Sequence, residues 1–220
     1  MNIIESIVQY LPQLLPGLGM SFLLLAALVL IGTPLAFVLA FGLRNSLAPV
    51  RWLTVAVVEI ARGMPSLVLL YLVYFGLPSA GLELPAFAAA AIALGLNYAG
   101  YVSETVKSGL ESLPKGQFEA GDALGLDRWT KMRFIVIPQS MKVITPPLLS
   151  WIIVYFQTTS IAFAIAVPEL TSVAYSIAAS NFQYLAIFVV AGLLYAAISI
   201  PGSQIVSYME TRAKKTARSS

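Results

Sequence analysis

The 220-residue sequence contains no cysteine and no histidine. Their absence removes disulfides, thiolate nucleophiles, imidazole acid–base chemistry and the usual zinc and haem ligand sets from this chain. Charge is scarce as well. Only 10% of the residues are Asp, Glu, Lys or Arg, and 59% are hydrophobic, with a mean hydropathy of +0.85. An ordinary soluble domain carries about 25% charged residues, so the composition predicts an all-α, membrane-embedded protein with 1–220 as a single domain. No run of the form G-x-x-x-x-G-K-[ST] is present, so the chain lacks the loop that cradles nucleotide phosphates. Neither a catalytic group nor a metal set is predicted.

What the sequence does have is apolar runs. About 20 residues are needed to cross a hydrocarbon core of roughly 30 Å, and stretches near 18–43, 53–77, 84–106, 144–167 and 184–206 qualify. The first begins after Pro12 and Pro16 and has no basic leader before it, which marks it as a mature span. The 13 Lys and Arg against 10 Asp and Glu give a net charge of +3, and their placement is one-sided. Arg44 and Arg51 lie between spans one and two. Lys107, Lys115, Arg128, Lys131, Arg133 and Lys142 surround the polar middle, and Arg212, Lys214, Lys215 and Arg218 follow the last span. The segments near 78–83 and 168–183 read as loops without a base. Basic residues are retained on the cytoplasmic side, so five spans place the N-terminus outside and the C-terminus inside. The charge reports topology and not nucleic-acid binding.

The stretch 115–140, KGQFEAGDALGLDRWTKMRFIVIPQS, is the most polar long segment, and its local grammar predicts two short helices. Pro114 suits a first helical turn, Gly125 can end that helix in a left-handed conformation, and Asp127 can cap the next. Phe118, Ala120, Ala123, Leu124, Leu126 and Trp129 leave an apolar surface on this hairpin. A surface cap on the bundle and a segment fitting a partner's groove or the membrane are both open.

Several polar residues fall inside the apolar runs. Glu59 and Arg62, and likewise Glu104 and Lys107, stand at i and i+3, where an intramembrane ion pair offsets the cost of unpaired charge. Asn97, Tyr98 and Tyr101, with Gln157, Thr158, Thr159 and Ser160, are the richest polar content at membrane depth. They can line a pathway for a carboxylate-bearing solute or stitch helices together.

Ordered motifs along the chain resemble one family. Residues 109–139 resemble the cytoplasmic EAA loop of ABC importer permeases, with Glu119, Ala120 and Gly121, then Gly125, then Ile135, Val136, Ile137 and Pro138. Within the polar amino acid permeases, VEIARGMP (58–65) is similar to YVExFRGTP, LGLNYAGYVSETVKSGLESLPKGQ (94–117) to LxLNxxAYxxExxRxxIxSIPxGQ, and QTTSIAFAIAVPEL (157–170) to KDTSLxxxIxxxEL. Gly121 stands for the usual second Ala, Lys107 for Arg, and Gln157 and Thr158 for Lys-Asp. The resemblance implies a type I ABC importer transmembrane domain in a bacterial cytoplasmic membrane, in which Asn97, Tyr98, Tyr101, Gln157, Thr158, Thr159 and Ser160 are the polar candidates for the substrate pathway. It also implies an ATPase-coupling loop about 107–140 that presents Gly116, Glu119, Ala120, Gly121, Ala123, Leu124, Gly125 and Leu126. The implied partners are two cytoplasmic ATPases that bind ATP and Mg, a second permease, an external amino acid binding protein and membrane lipid. The alternatives are an ion-gradient-driven transporter or channel using Glu59, Arg62 and Glu104, and a membrane scaffold.

Overall fold

The structure, a computed structural model, describes the backbone of residues 3–218. The side chains of residues 3–5, Lys115, Ala120 and 212–218 lie outside the described residues, and with them the bases of the C-terminal tail. The chain begins with α1 (Ile3–Leu43), which starts well before the predicted first span and carries Pro12, Pro16 and Pro34 inside it. Each proline removes one i to i−4 hydrogen bond. The helix continues because Tyr10 and Leu14 are buried against Leu170, Ala174 and Ile187.

The second predicted span is not continuous. Helix α2 (Ala48–Gly63) stops at Met64 and Pro65, and α3 (Ser66–Tyr71) leaves at 105°. A π-helical turn, Leu72–Gly76, and a 3-10 turn, Leu77–Ala80, follow. Pro65 cannot donate to the carbonyl four residues before it, and the residue before a proline is pushed out of the helical region. Met64 is extended, with ψ of 138°.

Helix α4 (Ala86–Glu111) is the hub. Of its apolar stretch 67% is buried, against 28% or less for the other long helices. Its small residues permit close approach. A Cβ on Gly32 of α1 would fall 2.7 Å from the carbonyl oxygen of Gly95, so the two backbones touch. After α5 (Lys115–Ala123) and α6 (Arg128–Lys131), a π-helical turn, Met132–Val136, leads directly into α7 (Ile137–Thr158). The second arm of the predicted hairpin is therefore the root of a long helix. A 3-10 segment, Thr159–Ile165, ends it.

The predicted loop 168–183 is instead α8 (Leu170–Asn181), packed between α1 and α9 (Tyr184–Arg218). Among the described residues four helices are long and apolar enough to span a membrane, and five if the bent pair counts as one span. Their outer faces carry exposed Val8, Leu23, Leu30, Leu185 and Ile205, an apolar surface too extensive for a monomer in water and suited to lipid.

Candidate functional site

The break between α2 and α3 organises the site. Without a donor at Pro65 the carbonyl of Ala61 has no helical partner. Asn97 of α4 supplies one, its Nδ2 donating at 2.6 Å. One turn along the same face of α4, the hydroxyl of Tyr101 donates to the carbonyl of Arg62 at 2.9 Å. Asn97 Oδ1 in turn accepts from Ser66 Oγ at 3.0 Å and from the Tyr155 hydroxyl at 2.5 Å. A single amide, 1% exposed, thus joins both sides of the corner to α4 and α7.

Beside the corner lies an open cavity of about 550 Å³. Arg62, Tyr101, Glu104, Thr105 and Trp151 are among its lining residues. The Trp151 indole stacks on Tyr101 with centroids 4.9 Å apart and donates to Thr105 Oγ1 at 3.0 Å. Arg62 Nη2 donates to Glu59 Oε1 at 2.6 Å, and Lys107 Nζ lies 3.5 Å from Glu104 Oε2. The cavity therefore presents a guanidinium, a carboxylate and two stacked rings.

The other polar residues singled out in the sequence do not join this cavity. Tyr98 is fully buried, 3.3 Å from the Thr33 hydroxyl. Thr158 and Thr159 donate to the carbonyls of Val154 and Phe156 within their own segment. Gln157 is exposed and lines a separate cleft with Ser199, Ser203 and Gln204 of α9, and Ser160 is half-buried. One polar group of the 157–170 motif has a role that the sequence reading did not assign. Glu169 is 0% exposed and caps α8, its two oxygens accepting from the amides of Ser172 at 2.8 Å and Thr171 at 2.9 Å and from the Tyr195 hydroxyl at 2.9 Å. A carboxylate just before an apolar helical run, following Pro168, is the cap signal that was available.

The cytoplasm-predicted hairpin is held at both ends. Gly125 has φ of 69°, and the Asp127 carboxylate accepts from the amides of Trp129 at 2.9 Å and Thr130 at 3.2 Å. Hydrogen bonding from Thr130, first through its hydroxyl, holds this carboxyl below the usual carboxylate range. Lys131 pairs with Asp122, its stem lying across Gly121, where a Cβ would meet Lys131 Cδ at 2.6 Å. Gln139 Nε2 donates to Gln117 Oε1 at 3.1 Å, and Phe118 packs on the core. Gly116, Glu119, Ala123, Leu124 and Gly125 are left exposed, Leu126 is half-buried, and Ala120 is a residue of α5 whose side chain lies outside the described residues.

A broken span, a polar corner and a braced, outward-facing hairpin define a transport subunit, and comparison with known proteins agrees. Residues 32–215 match the profile of the binding-protein-dependent transport system inner membrane component. The chain belongs to that family. It is 35% identical over 191 residues to the probable amino-acid ABC transporter permease protein YckA of Bacillus subtilis (strain 168), covering 87% of this chain and 84% of that protein. It is 34% identical over 212 residues to the glutamine transport system permease protein GlnP of Escherichia coli (strain K12), covering 93% and 94%. A chain in the crystal structure of an amino acid ABC transporter with histidines superposes with a TM-score of 0.88 at 31% identity, over 96% of this chain and 99% of that one. The fold and family are those of ABC importer permeases, which sets aside the ion-gradient reading.

Proposed function

We propose that this chain is the membrane-spanning subunit of an ATP-driven importer for polar amino acids. The observation that carries the substrate class is the cavity beside the α2–α3 corner. An amino acid bears a carboxylate and an ammonium, and the cavity offers Arg62 for the first, Glu104 for the second, and the Tyr101 and Trp151 rings for the side chain or its stem. Charge-assisted contacts of this kind are the stronger class of hydrogen bond. Support for the amino acid class comes also from the related permeases named above.

In this reading 1–220 is one domain with its N-terminus outside and C-terminus in the cytoplasm of a bacterial cell. Two such permease subunits, alike or paralogous, meet two cytoplasmic ATPases that bind ATP and Mg, while an external binding protein delivers the solute. The chain contributes no hydrolysis of its own. Exposed Glu119, Ala123 and Leu124 form the docking face for the ATPase. The bonds from α5 to Lys131 and Gln139 carry its displacement into the root of α7, and α7 holds Trp151 and Tyr155 at the cavity and corner.

Uptake into proteoliposomes containing the assembled transporter tests this reading. Arg62→Gln and Glu104→Gln are each expected to reduce ATP-driven uptake by about tenfold or more, the equivalent of one lost charged contact, while basal ATP hydrolysis persists. Wild-type uptake by both variants would remove the cavity from the pathway. Uptake without ATP would remove the importer reading.

A further inference from the structure

A second cavity, of about 600 Å³, lies apart from the corner, between the end of α1 and the root of α7. Phe41, Met132 and Ile137 form its apolar lining, beside Asn45 and Ser46. Its rim carries the guanidiniums of Arg44 and Arg128 and the indole of Trp129, which is 69% exposed. No carboxylate lines it among the described residues. Glu111 touches Arg44 from outside the groove, 3.8 Å from Nε, and the neighbouring Asp127 is engaged with the amides of Trp129 and Thr130. The groove also sits where two apolar helices give way to polar chain, since the spans Ser6–Leu43 and Arg128–Ile165 both end there.

We propose that this groove binds the headgroup of an anionic phospholipid, with the two guanidiniums on the phosphate and the upper acyl chain along Phe41, Met132 and Ile137. The charge is complementary, the apolar side chains suit acyl carbons, and an exposed indole beside two apolar helix ends is the pattern of a membrane interface. A free anion would use the arginines and leave the apolar lining wet. A lipid uses both. The proposal rests on the chain being embedded in a membrane and not on what it imports.

Native mass spectrometry of the purified full chain, titrated with phosphatidylglycerol or with phosphatidylcholine of the same acyl chains, tests it. The wild type should retain phosphatidylglycerol preferentially. Each guanidinium in direct contact with the phosphate contributes about fivefold in affinity, so Arg44→Gln with Arg128→Gln should weaken retention about 30-fold. Arg44→Lys with Arg128→Lys should keep most of it, and Arg51→Gln with Arg133→Gln should leave it unchanged. If the double Gln variant melts early, Arg128→Gln alone, at an exposed position, should still show the fivefold loss. Equal retention of the two lipids, or undiminished retention by the Gln variants, overturns the proposal. Displacement of the lipid by excess inorganic phosphate makes this a free-anion site and overturns it too. Loss of the ATPase from Gln variants that keep their lipid makes the groove a subunit contact, with the same consequence. Failure of the importer reading would show in uptake and leave the lipid titration untouched.

Discussion

The hydroxyl of Tyr101 lies 2.9 Å from the backbone carbonyl of Arg62, so a single bond fixes both the end of α2 and the root of a guanidinium that faces the cavity. Side-chain hydrogen bonds within membranes contribute about 0.6 to 2 kcal/mol. Tyr101→Phe is expected to weaken substrate-stimulated ATP hydrolysis about 3- to 30-fold with a small loss of thermal stability. Asn97→Leu, which strands Ala61, Ser66 and Tyr155 together, should instead lower the melting temperature of the detergent-solubilised protein markedly. Equal melting of the two variants would show that the corner holds itself.

Coupling is tested at the hairpin. Gly125 has positive φ, where a Cβ costs about 1–2 kcal/mol, and Glu119 is exposed on α5. Gly125→Val and Glu119→Lys should insert normally yet lose the ATPase on co-purification, or hydrolyse ATP without import. Retention of the ATPase together with wild-type import in both variants would contradict the coupling role.

Sidedness can be read with single cysteines against a background that has none. Ser79, exposed after α3, should react as Ser79→Cys with an impermeant thiol reagent outside intact cells, and Ser112→Cys, exposed after α4, should not. Outside labelling at position 112 reverses the topology.

The Glu169 cap provides a stability prediction. Glu169→Ala removes the acceptor for two amides of α8 and for the Tyr195 hydroxyl. A lost cap and an orphaned buried donor together cost at least about 2 kcal/mol, seen as a lower melting temperature. Glu169→Gln, which keeps one acceptor oxygen, should be intermediate.

Features that depend on neighbouring residues were legible in the sequence. The left-handed Gly125 and the Asp127 cap follow from chemistry within three residues of each. The corner at Pro65 was not legible, because Asn97, 36 residues from Ala61, is what allows the broken helix to be buried. Helix α8 was hidden for a related reason. Its segment has no base and modest apolarity, and its stability comes from packing on Tyr10 and Leu14 across the chain. The candidate pathway was partly visible. Tyr101 and Arg62 carry polar groups that a sequence reading finds, whereas Trp151 looks like any aromatic in an apolar run until α7 is laid against α4. Gln157 and Asn97 resemble each other in sequence, but Asn97 is buried at the corner while Gln157 is exposed and lines a cleft with α9.

The contact between Gly32 and Gly95 bears on how the molecule changes shape. With backbone against backbone there is no intervening layer of side chains to slide or re-pack, so α1 and α4 travel as one stiff beam. In the importer reading proposed above, the change of access falls to the parts not welded to that beam. These are the π-helical turn above α7 and the α7–α9 seam, where Gln157 and Ser199 line one cleft. A labelled pair placed across α1 and α4 would stay silent through the transport cycle, and one across α7 and α9 would report it.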